Sequence, residues 1–206
     1  MDRKTYKAFT LIEMLIVMGI LIILMVIGVA AGRFAINRAN DIAHQNGANQ
    51  IYQALQAYYT DKGSFPQTTE SISSMIADPN SLGKYMDTGA FKGGSEASYF
   101  YFTNANKQAA LVCVTLGGLK DDTRKGVVCV GNGFNDANIQ PADMANLTGD
   151  KIEVDNQGEV TNGKDNTETS KFLAVYNYLT SGGGLSYSTK SVWCGKAWGT
   201  GSTCAQ

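Results

Sequence analysis

A single carboxylate interrupts the most apolar part of the sequence. Glu13 lies between Phe9–Ile12 and a run from Met14 to Gly32 in which no side chain is charged or strongly polar. A carboxylate inside a membrane-spanning helix costs a few kcal/mol, so an acidic residue there is a candidate for function. The alternative is that Glu13 lies at the level of the lipid headgroups, where its charge costs little.

The cysteines and the single histidine are the other candidate ligands and nucleophiles. No two of the four cysteines are two to four residues apart, and His44 is remote from all of them, which argues against a zinc site. We expect His44 to be a solvated or intersubunit hydrogen-bonding residue in the polar middle of a helix. No catalytic group of nucleophile, base and orienting residue and no glycine-rich phosphate loop is visible, so we expect neither enzymatic activity nor a cofactor.

Composition sets limits on the class of protein. Of the 206 residues, 17% are charged and 44% are hydrophobic, which argues against a disordered chain. The length favours one domain, or one domain with an appendage. A formal net charge of −1 gives no support for binding of nucleic acid, and leaves it open.

The run from Met14 to Gly32 has the length of a membrane span. Its helical length of roughly 28 Å is close to the hydrocarbon thickness of a bilayer. A buried core helix is an alternative, but such a helix normally has a polar face. A cleaved signal peptide is another, with Ala30–Gly32 as the cleavage site. The preceding Met1–Ala8 has a net charge of +2, which favours a cytoplasmic position for this leader.

The stretch KAFTLIEMLIVMGILIILMVIGV resembles the prepilin signature of type IV pilins and type II secretion pseudopilins. The resemblance implies cleavage between Ala8 and Phe9 by a membrane prepilin peptidase, and N-methylation of the new Phe9 amine. It places Glu13 at the fifth position of the mature chain. Two residues depart from the family pattern: Ala8 stands where glycine is usual, and Ala30 stands where many members have a helix-breaking proline.

The same resemblance implies a function in assembly. Glu13 of one subunit would neutralise the Phe9 amine of a neighbour while the apolar helices pack into a bundle. We expect a major pilin of a type IV pilus, with roles in adhesion, twitching motility or DNA uptake. The alternatives are a type II secretion pseudopilin and a membrane-anchored adhesin that does not polymerise. The expected partners are copies of the chain, the prepilin peptidase, and the assembly platform with its ATPase; the precursor would lie in the cytoplasmic membrane and the filament outside the cell.

One long helix, from about Thr10 to Thr60, is predicted to connect this segment to a globular head. Gly63 is suited to the left-handed C-terminal cap and Pro66 prevents continuation of the helix. The predicted divisions are a leader at 1–8, a membrane or filament-core helix at 9–32, an amphipathic helix at 33–62 and a head at 63–206. The apolar stripe expected to face the head consists of Ile36, Ala39, Ala43, Ile51, Leu55, Tyr58 and Tyr59.

The head is predicted to contain an antiparallel meander, which makes the fold class α+β: a long, partly transmembrane helix packed on a sheet, as in type IV pilins. Strands are expected at 98–104, 109–116 and 126–131. If Leu116 pairs with Gly126, Cys113 lies opposite Cys129 and a cross-strand disulfide can form. The intervening valines would then face the long helix.

The remainder of the head gives weaker patterns. A strand is predicted at 151–154, and the oxygen-rich stretch 150–166 is interpreted as a solvated, turn-rich surface in preference to a Ca²⁺ site. Residues 172–179 fit a short helix or a strand. Four cysteines permit three pairings; the resemblance to pilins, which commonly close a carboxy-terminal loop by a disulfide, favours Cys194 with Cys204 beside Cys113 with Cys129.

Overall fold

The chain combines one long helix with an antiparallel sheet, so the predicted α+β class is confirmed. The chain divides into two compact units, residues 1–39 and 40–206. The structure is a computed structural model that describes residues 10–67, 71–91, 97–116, 125–133, 149–154, 160–165, 191–194 and 204–205.

Helix α1 extends from Leu11 to Lys62, close to the range predicted from the sequence. It has 52 residues and no internal proline, so nothing in its sequence removes a backbone donor from the ladder of hydrogen bonds. In the first unit, every described residue is exposed except Gly32, which is half-buried.

The helical part of the second unit consists of the end of α1 and three short elements. They are α2 (Ile72–Ala77) and two 3₁₀ turns, at Leu82–Lys84 and Thr88–Phe91. Ser71 begins α2 because its side chain accepts a hydrogen bond from the Ser74 N–H at 3.2 Å, which satisfies a donor that the first turn leaves free.

Seven strands form one sheet among the described residues, in the order β5-β4-β1-β2-β3-β6-β7. All neighbouring strands are antiparallel. In chain order, the strands are β1 (Ser98–Thr103), β2 (Ala110–Leu116), β3 (Lys125–Gly131), β4 (Gly149–Val154), β5 (Val160–Asp165), β6 (Ser191–Cys194) and β7 (Cys204–Ala205).

The register of β2 and β3 is the one predicted from the sequence. Leu116 pairs with Gly126 and Cys113 pairs with Cys129. A disulfide joins these two cysteines. Val112, Val114 and Val128 are buried in the core cluster that contains residues of α1, as the alternation of the strands requires.

The core of the second unit lies where α1 and α2 meet the sheet. Ile51 and Leu55 of α1 and Met75 of α2 are fully buried with the inward side chains of β1 and β2. Gly47 leaves room for close packing, since a Cβ there would lie 2.6 Å from the Tyr99 hydroxyl oxygen. Burial raises the pKa of Tyr99.

The predicted head-facing stripe is wrong over its first turns. Ile36, Ala39 and Ala43 are exposed, whereas Asp41 and His44 are buried and begin the series of inward positions that continues through Ile51 and Leu55. The spacing of three and four residues is that of one helix face. Polar residues occupy the first positions of that face, so a search for apolar residues selects the wrong ones.

The chain leaves α1 through a glycine cap and then contacts the sheet. Gly63 has a φ of 75°, and its N–H donates to the Tyr59 carbonyl at 2.7 Å, as the sequence predicted. The Phe65 N–H donates to the Lys107 carbonyl at 2.9 Å, and the Tyr101 hydroxyl donates to the Pro66 carbonyl at 2.8 Å. These bonds fix the exit of the helix against β1 and the turn after it.

Three strands were not expected from the sequence. Strand β5 lies in the stretch 150–166, for which a solvated, turn-rich surface was predicted, and it pairs with β4 from Gly149↔Asp165 to Val154↔Val160. Strands β6 and β7 flank the predicted carboxy-terminal loop, with Cys194 at the end of β6 and Cys204 at the start of β7. Polar residues in β5 give no period-2 pattern, so only the pairing with β4 identifies it as a strand. The element predicted at 172–179 lies outside the described residues.

Candidate assembly segment

The first part of α1 exposes large apolar side chains on every face. Within 11–29, the described apolar side chains are half-exposed or more, for example Leu11 at 82% and Met25 at 72%. An apolar surface of this extent marks an interaction with lipid or protein. Among the described residues, α1 is the one helix long and apolar enough to cross a membrane.

The carboxylate of Glu13 is held by the residue that begins the helix. The Thr10 backbone N–H and the Thr10 hydroxyl each donate to Glu13 Oε2 at 2.9 Å. The Glu13 N–H points back at Thr10 Oγ1 at 3.4 Å. This reciprocal arrangement is a capping box, which follows from the T-x-x-E spacing and was not identified in the sequence analysis. It satisfies donors of the first turn while it keeps the carboxylate near the helix start, where the helix dipole favours a negative charge.

The other two predicted residues of this site, Ala8 and Phe9, lie outside the described residues. Phe9 directly precedes Thr10 in the sequence and Glu13 follows four residues after it. Cleavage before Phe9 and pairing of its amine with Glu13 therefore remain predictions.

Three glycines leave gaps in the apolar surface. A Cβ built at Gly19, Gly28 or Gly32 would meet nothing within 4 Å. Gly28 and Gly32 are four residues apart, so both lie on one helix face. Small residues at this spacing allow another helix to approach the backbone closely in lipid.

Two arginines follow the apolar run. Arg33 and Arg38 are exposed. Arg33 directly follows an uncharged segment long enough to span a membrane. Its charge therefore marks the end of the segment that membrane hydrocarbon can cover.

The single histidine is buried, which corrects the expectation of a solvated residue. His44 is 3% exposed and Asp41, one turn before it on α1, is 4% exposed. Buried polar groups of this kind belong to the internal structure of the second unit, because a residue at an intersubunit contact would be accessible in the single chain. The signal in the sequence is its spacing, since His44 lies four and seven residues before the apolar Ala48 and Ile51 on the same helix face.

A polar cluster fastens the end of α1 to the first 3₁₀ turn. The Tyr85 hydroxyl donates to Asp61 Oδ2 at 2.6 Å and the Lys84 ammonium group lies 3.3 Å from the same oxygen. The hydrogen bond from Tyr85, followed by that from Lys84, lowers the pKa of Asp61. The Asp61 carboxylate in turn raises the pKa of Lys84 and of Tyr85. The cluster is exposed, so it positions the chain without a large electrostatic contribution to stability.

The second predicted disulfide has a compatible backbone arrangement. Cys194 of β6 pairs directly with Cys204 of β7. The side chains of these residues lie outside the described part of the structure, so this disulfide remains a prediction. Among the described residues, no group of three or more His, Cys, Asp and Glu side chains forms a metal site.

Comparison with known families identifies the amino-terminal segment. Residues 3–29 match the family model for the prokaryotic N-terminal methylation motif, so the chain carries a type IV pilin-like prepilin signal. The match includes most of the leader, Glu13 and most of the apolar run, and it ends before the second unit. Searches of curated proteins and of solved structures found no match.

Proposed function

We propose that the chain is the precursor of a type IV pilin-like subunit that is cut before Phe9 and polymerises through residues 9–32. The observation that carries the proposal is the methylation motif at 3–29 on a segment whose described side chains are exposed. Such a segment needs an apolar environment, and the proposal gives it two in succession: the membrane before assembly and other copies of the chain afterwards.

The leader and the apolar run together determine the orientation of the precursor. The basic residues of 1–8 stay on the cytoplasmic side, so the second unit lies on the opposite side of the membrane. A prepilin peptidase removes the leader and the new Phe9 amine is methylated. Methylation leaves this amine basic, so it retains its positive charge near neutral pH.

Glu13 selects the neighbour during assembly. An isolated charge is costly in an apolar bundle, but the Phe9 amine and a Glu13 carboxylate from different copies compensate each other. The hydrogen bonds from Thr10 keep the carboxylate directed toward the helix start, where the amine of an incoming copy can reach it.

The second unit forms the outer surface of the filament. A head of this size with a disulfide across β2 and β3 suits a major pilin exposed outside the cell. Adhesion, twitching motility and DNA uptake are the roles that such a surface serves. The partners are the assembly platform and its ATPase, and the filament itself is a homopolymer.

Sheared surface fibres from cells that produce the chain provide the test. We expect their main protein to begin at methylated Phe9 and to contain 198 residues, the 206 of the precursor less the eight of the leader. Fibres confined to the cell envelope would indicate a pseudopilin. A chain found only in membranes with Met1 intact would overturn the proposal in favour of an anchored adhesin.

Substitutions at the proposed processing and assembly residues separate the two steps. Glu13→Ala and Glu13→Lys are expected to leave insertion and cleavage intact but to abolish efficient polymerisation, since the Phe9 amine loses its partner. Ala8→Glu and Ala8→Leu are expected to block removal of the leader, with Ala8→Gly as the matched control that is cut normally. Normal fibre yield from Glu13→Ala, or an unchanged mature mass from Ala8→Leu, would contradict the corresponding role.

A further inference from the structure

Two apolar side chains lie on α1 directly after the first arginine. Phe34 is 65% exposed and Ile36 is 62% exposed, between the exposed Arg33 and Arg38. These four residues, at positions 33–38, are called the collar below. Exposed large apolar side chains next to charged ones are ordinary when single, but here they follow a span of matched length.

The collar lies outside the hydrocarbon of the membrane. The part of α1 from Leu11 to Gly32 has a helical length of about 33 Å, which exceeds the hydrocarbon thickness of about 30 Å. The guanidinium of Arg33 belongs at the headgroup level. Phe34 and Ile36 are about 1.5 and 4.5 Å further along the helix, so headgroups and water cover them in the membrane-bound subunit.

Because the collar lies outside the hydrocarbon, its side chains and those of 14–32 gain different amounts of hydrophobic free energy on assembly. Side chains of 14–32 exchange lipid for protein, and lipid tails are as apolar as a protein interior, so their transfer adds little hydrophobic free energy. Phe34 and Ile36 exchange a wet environment for a dry one, which is where the hydrophobic effect acts. The collar therefore gains more on assembly per apolar atom than the longer run before it.

The arrangement of the collar indicates a second copy of the chain as the occupant. Phe34 and Ile36 are two residues apart, about 200° around the helix, so they lie on opposite faces and need neighbours on both sides. When copies pack together, acidic side chains of a neighbour can compensate the charges of the two arginines. No acidic residue occurs between Glu13 and Asp41, whereas residues 40–206 contain 16 acidic and 12 basic side chains, a net charge of −4. Another copy supplies both apolar cover and opposite charge.

We propose that the collar is a contact surface for neighbouring copies. Its residues Phe34 and Ile36 supply more of the hydrophobic free energy of assembly than equivalent side chains within 14–32. The proposal rests on the proposed function, because it concerns the same filament. In this proposal the apolar run 14–32 holds the subunit in the membrane and packs closely with other helices, while the collar stabilises the assembled filament.

A matched pair of isoleucines tests the hydrophobic part. Ile22 and Ile36 are 65% and 62% exposed in the single chain, so Ile22→Ala and Ile36→Ala remove the same atoms from similarly exposed positions. Purified fibres are incubated in a mild detergent whose micelles cover 14–32 of released subunits, and the subunit concentration left after pelleting is measured. We expect Ile36→Ala to raise that concentration about tenfold, with a rise of less than threefold for Ile22→Ala.

The outcomes separate this proposal from the proposed function. If wild-type cells form no fibres that contain the chain, both fail. If wild-type fibres form but Ile22→Ala raises the concentration as much as Ile36→Ala, only the collar proposal is overturned. Ile36→Leu, which keeps the apolar volume, should restore the wild-type value and thereby shows that the effect is not a general defect of the helix.

Charge variants test whether a second copy of the chain contacts the arginines of the collar. Arg38→Glu is expected to reduce fibre yield severalfold, with Arg38→Lys close to wild type, and high salt should narrow the difference. Flotation of the processed subunit with vesicles of phosphatidylglycerol and phosphatidylethanolamine tests the lipid alternative. Lower flotation of Arg38→Glu with unchanged fibre yield would assign the arginines to anionic headgroups and overturn their contact with a second copy.

Discussion

The carboxylate of Glu13 already has partners within its own chain. Its capping-box bonds with Thr10 lower the cost of placing the acid at the start of a membrane helix, because the carboxylate accepts two hydrogen bonds. Glu13 therefore does not need a neighbour in order to exist in the membrane-bound subunit. In the proposed assembly these bonds would be exchanged or supplemented, which makes Thr10 a positioning residue for the proposed contact.

We predict that Thr10→Val lowers fibre yield and Thr10→Ser does not. Valine keeps the shape of threonine but removes the hydroxyl that donates to Glu13 and accepts from its N–H, a loss of about 1 kcal/mol for a helix cap. Amide hydrogen exchange at 11–14 in the processed, detergent-bound subunit should be faster in Thr10→Val, with leader removal unchanged. Equal exchange rates in the two variants would show that the capping box is not formed.

Glycine is required at position 131 for two reasons: the backbone has a positive φ, and a neighbouring carbonyl oxygen leaves no room for a Cβ. It has a φ of 148°, and a Cβ at this position would lie 2.1 Å from the Ala110 carbonyl oxygen. Gly63 also has positive φ, but nothing lies within 4 Å of its Cβ position. We predict that Gly63→Ala costs about 1 kcal/mol of unfolding free energy and that Gly131→Ala costs about 3 kcal/mol or more. Denaturant unfolding of the oxidised chain in detergent measures both, and similar costs would contradict the role of the contact with Ala110.

At the scale of elements, the sheet shows which parts of the fold local sequence determines. Strands β2 and β3 are regular enough that one assumed pair, Leu116 with Gly126, placed Cys113 opposite Cys129, and the structure has this register. Strand β5 has no such alternation, and among the described residues its neighbour in the sheet is β4. Its strand therefore depends on a pairing that the local pattern does not indicate. The start of the inward face of α1 was misidentified because Asp41 and His44 hold positions that the pattern assigns to apolar residues.

The contact between the end of α1 and the first 3₁₀ turn should depend on pH at both extremes. The pKa of Asp61 is lowered in the folded chain. Its contribution to stability is therefore present above the ordinary pKa of aspartate and is lost as the pH falls through the lowered pKa. The pKa of Lys84 is raised in the folded chain. Its contribution to stability is therefore complete below the ordinary pKa of lysine and is lost as the pH rises through the raised pKa. The cluster is therefore intact across the neutral range.

We predict that the pKa of the Asp61 carboxyl, measured by NMR titration, lies below that of an unstructured aspartate. Tyr85→Phe should raise it more than Lys84→Gln does, because the hydroxyl of Tyr85 is the main cause of the lowering. A larger effect from Lys84→Gln would mean that the ion pair dominates the hydrogen bond.

At the scale of the whole chain, the sequence identified the anchor more securely than the head. The amino-terminal signal depends on a few residue types in a fixed order, which a motif records without knowledge of the fold. The head depends on pairings between distant segments, such as β3 with β6, that no local pattern specifies. The candidate functional residues divide in the same way. Glu13 is recognisable in the sequence as a lone carboxylate, whereas the cluster around Asp61 joins residues more than twenty positions apart and could not be predicted.

The two units should also be separable in experiment. The buried core of the described residues begins within α1 at Ala48 and includes no side chain of residues 10–39. A chain restricted to 40–206, with a net charge of −4, is therefore predicted to fold as a soluble monomer that retains the Cys113–Cys129 disulfide. Its unfolding free energy should lie within about 1 kcal/mol of that of the head in the detergent-bound mature chain, since the core cluster consists of side chains that the fragment retains. Sedimentation, mass spectrometry after alkylation and denaturant unfolding check the three statements. A fragment that aggregates or unfolds at much lower denaturant would mean that the first unit stabilises the head, and that polymerisation cannot be treated as a property of the amino-terminal segment alone.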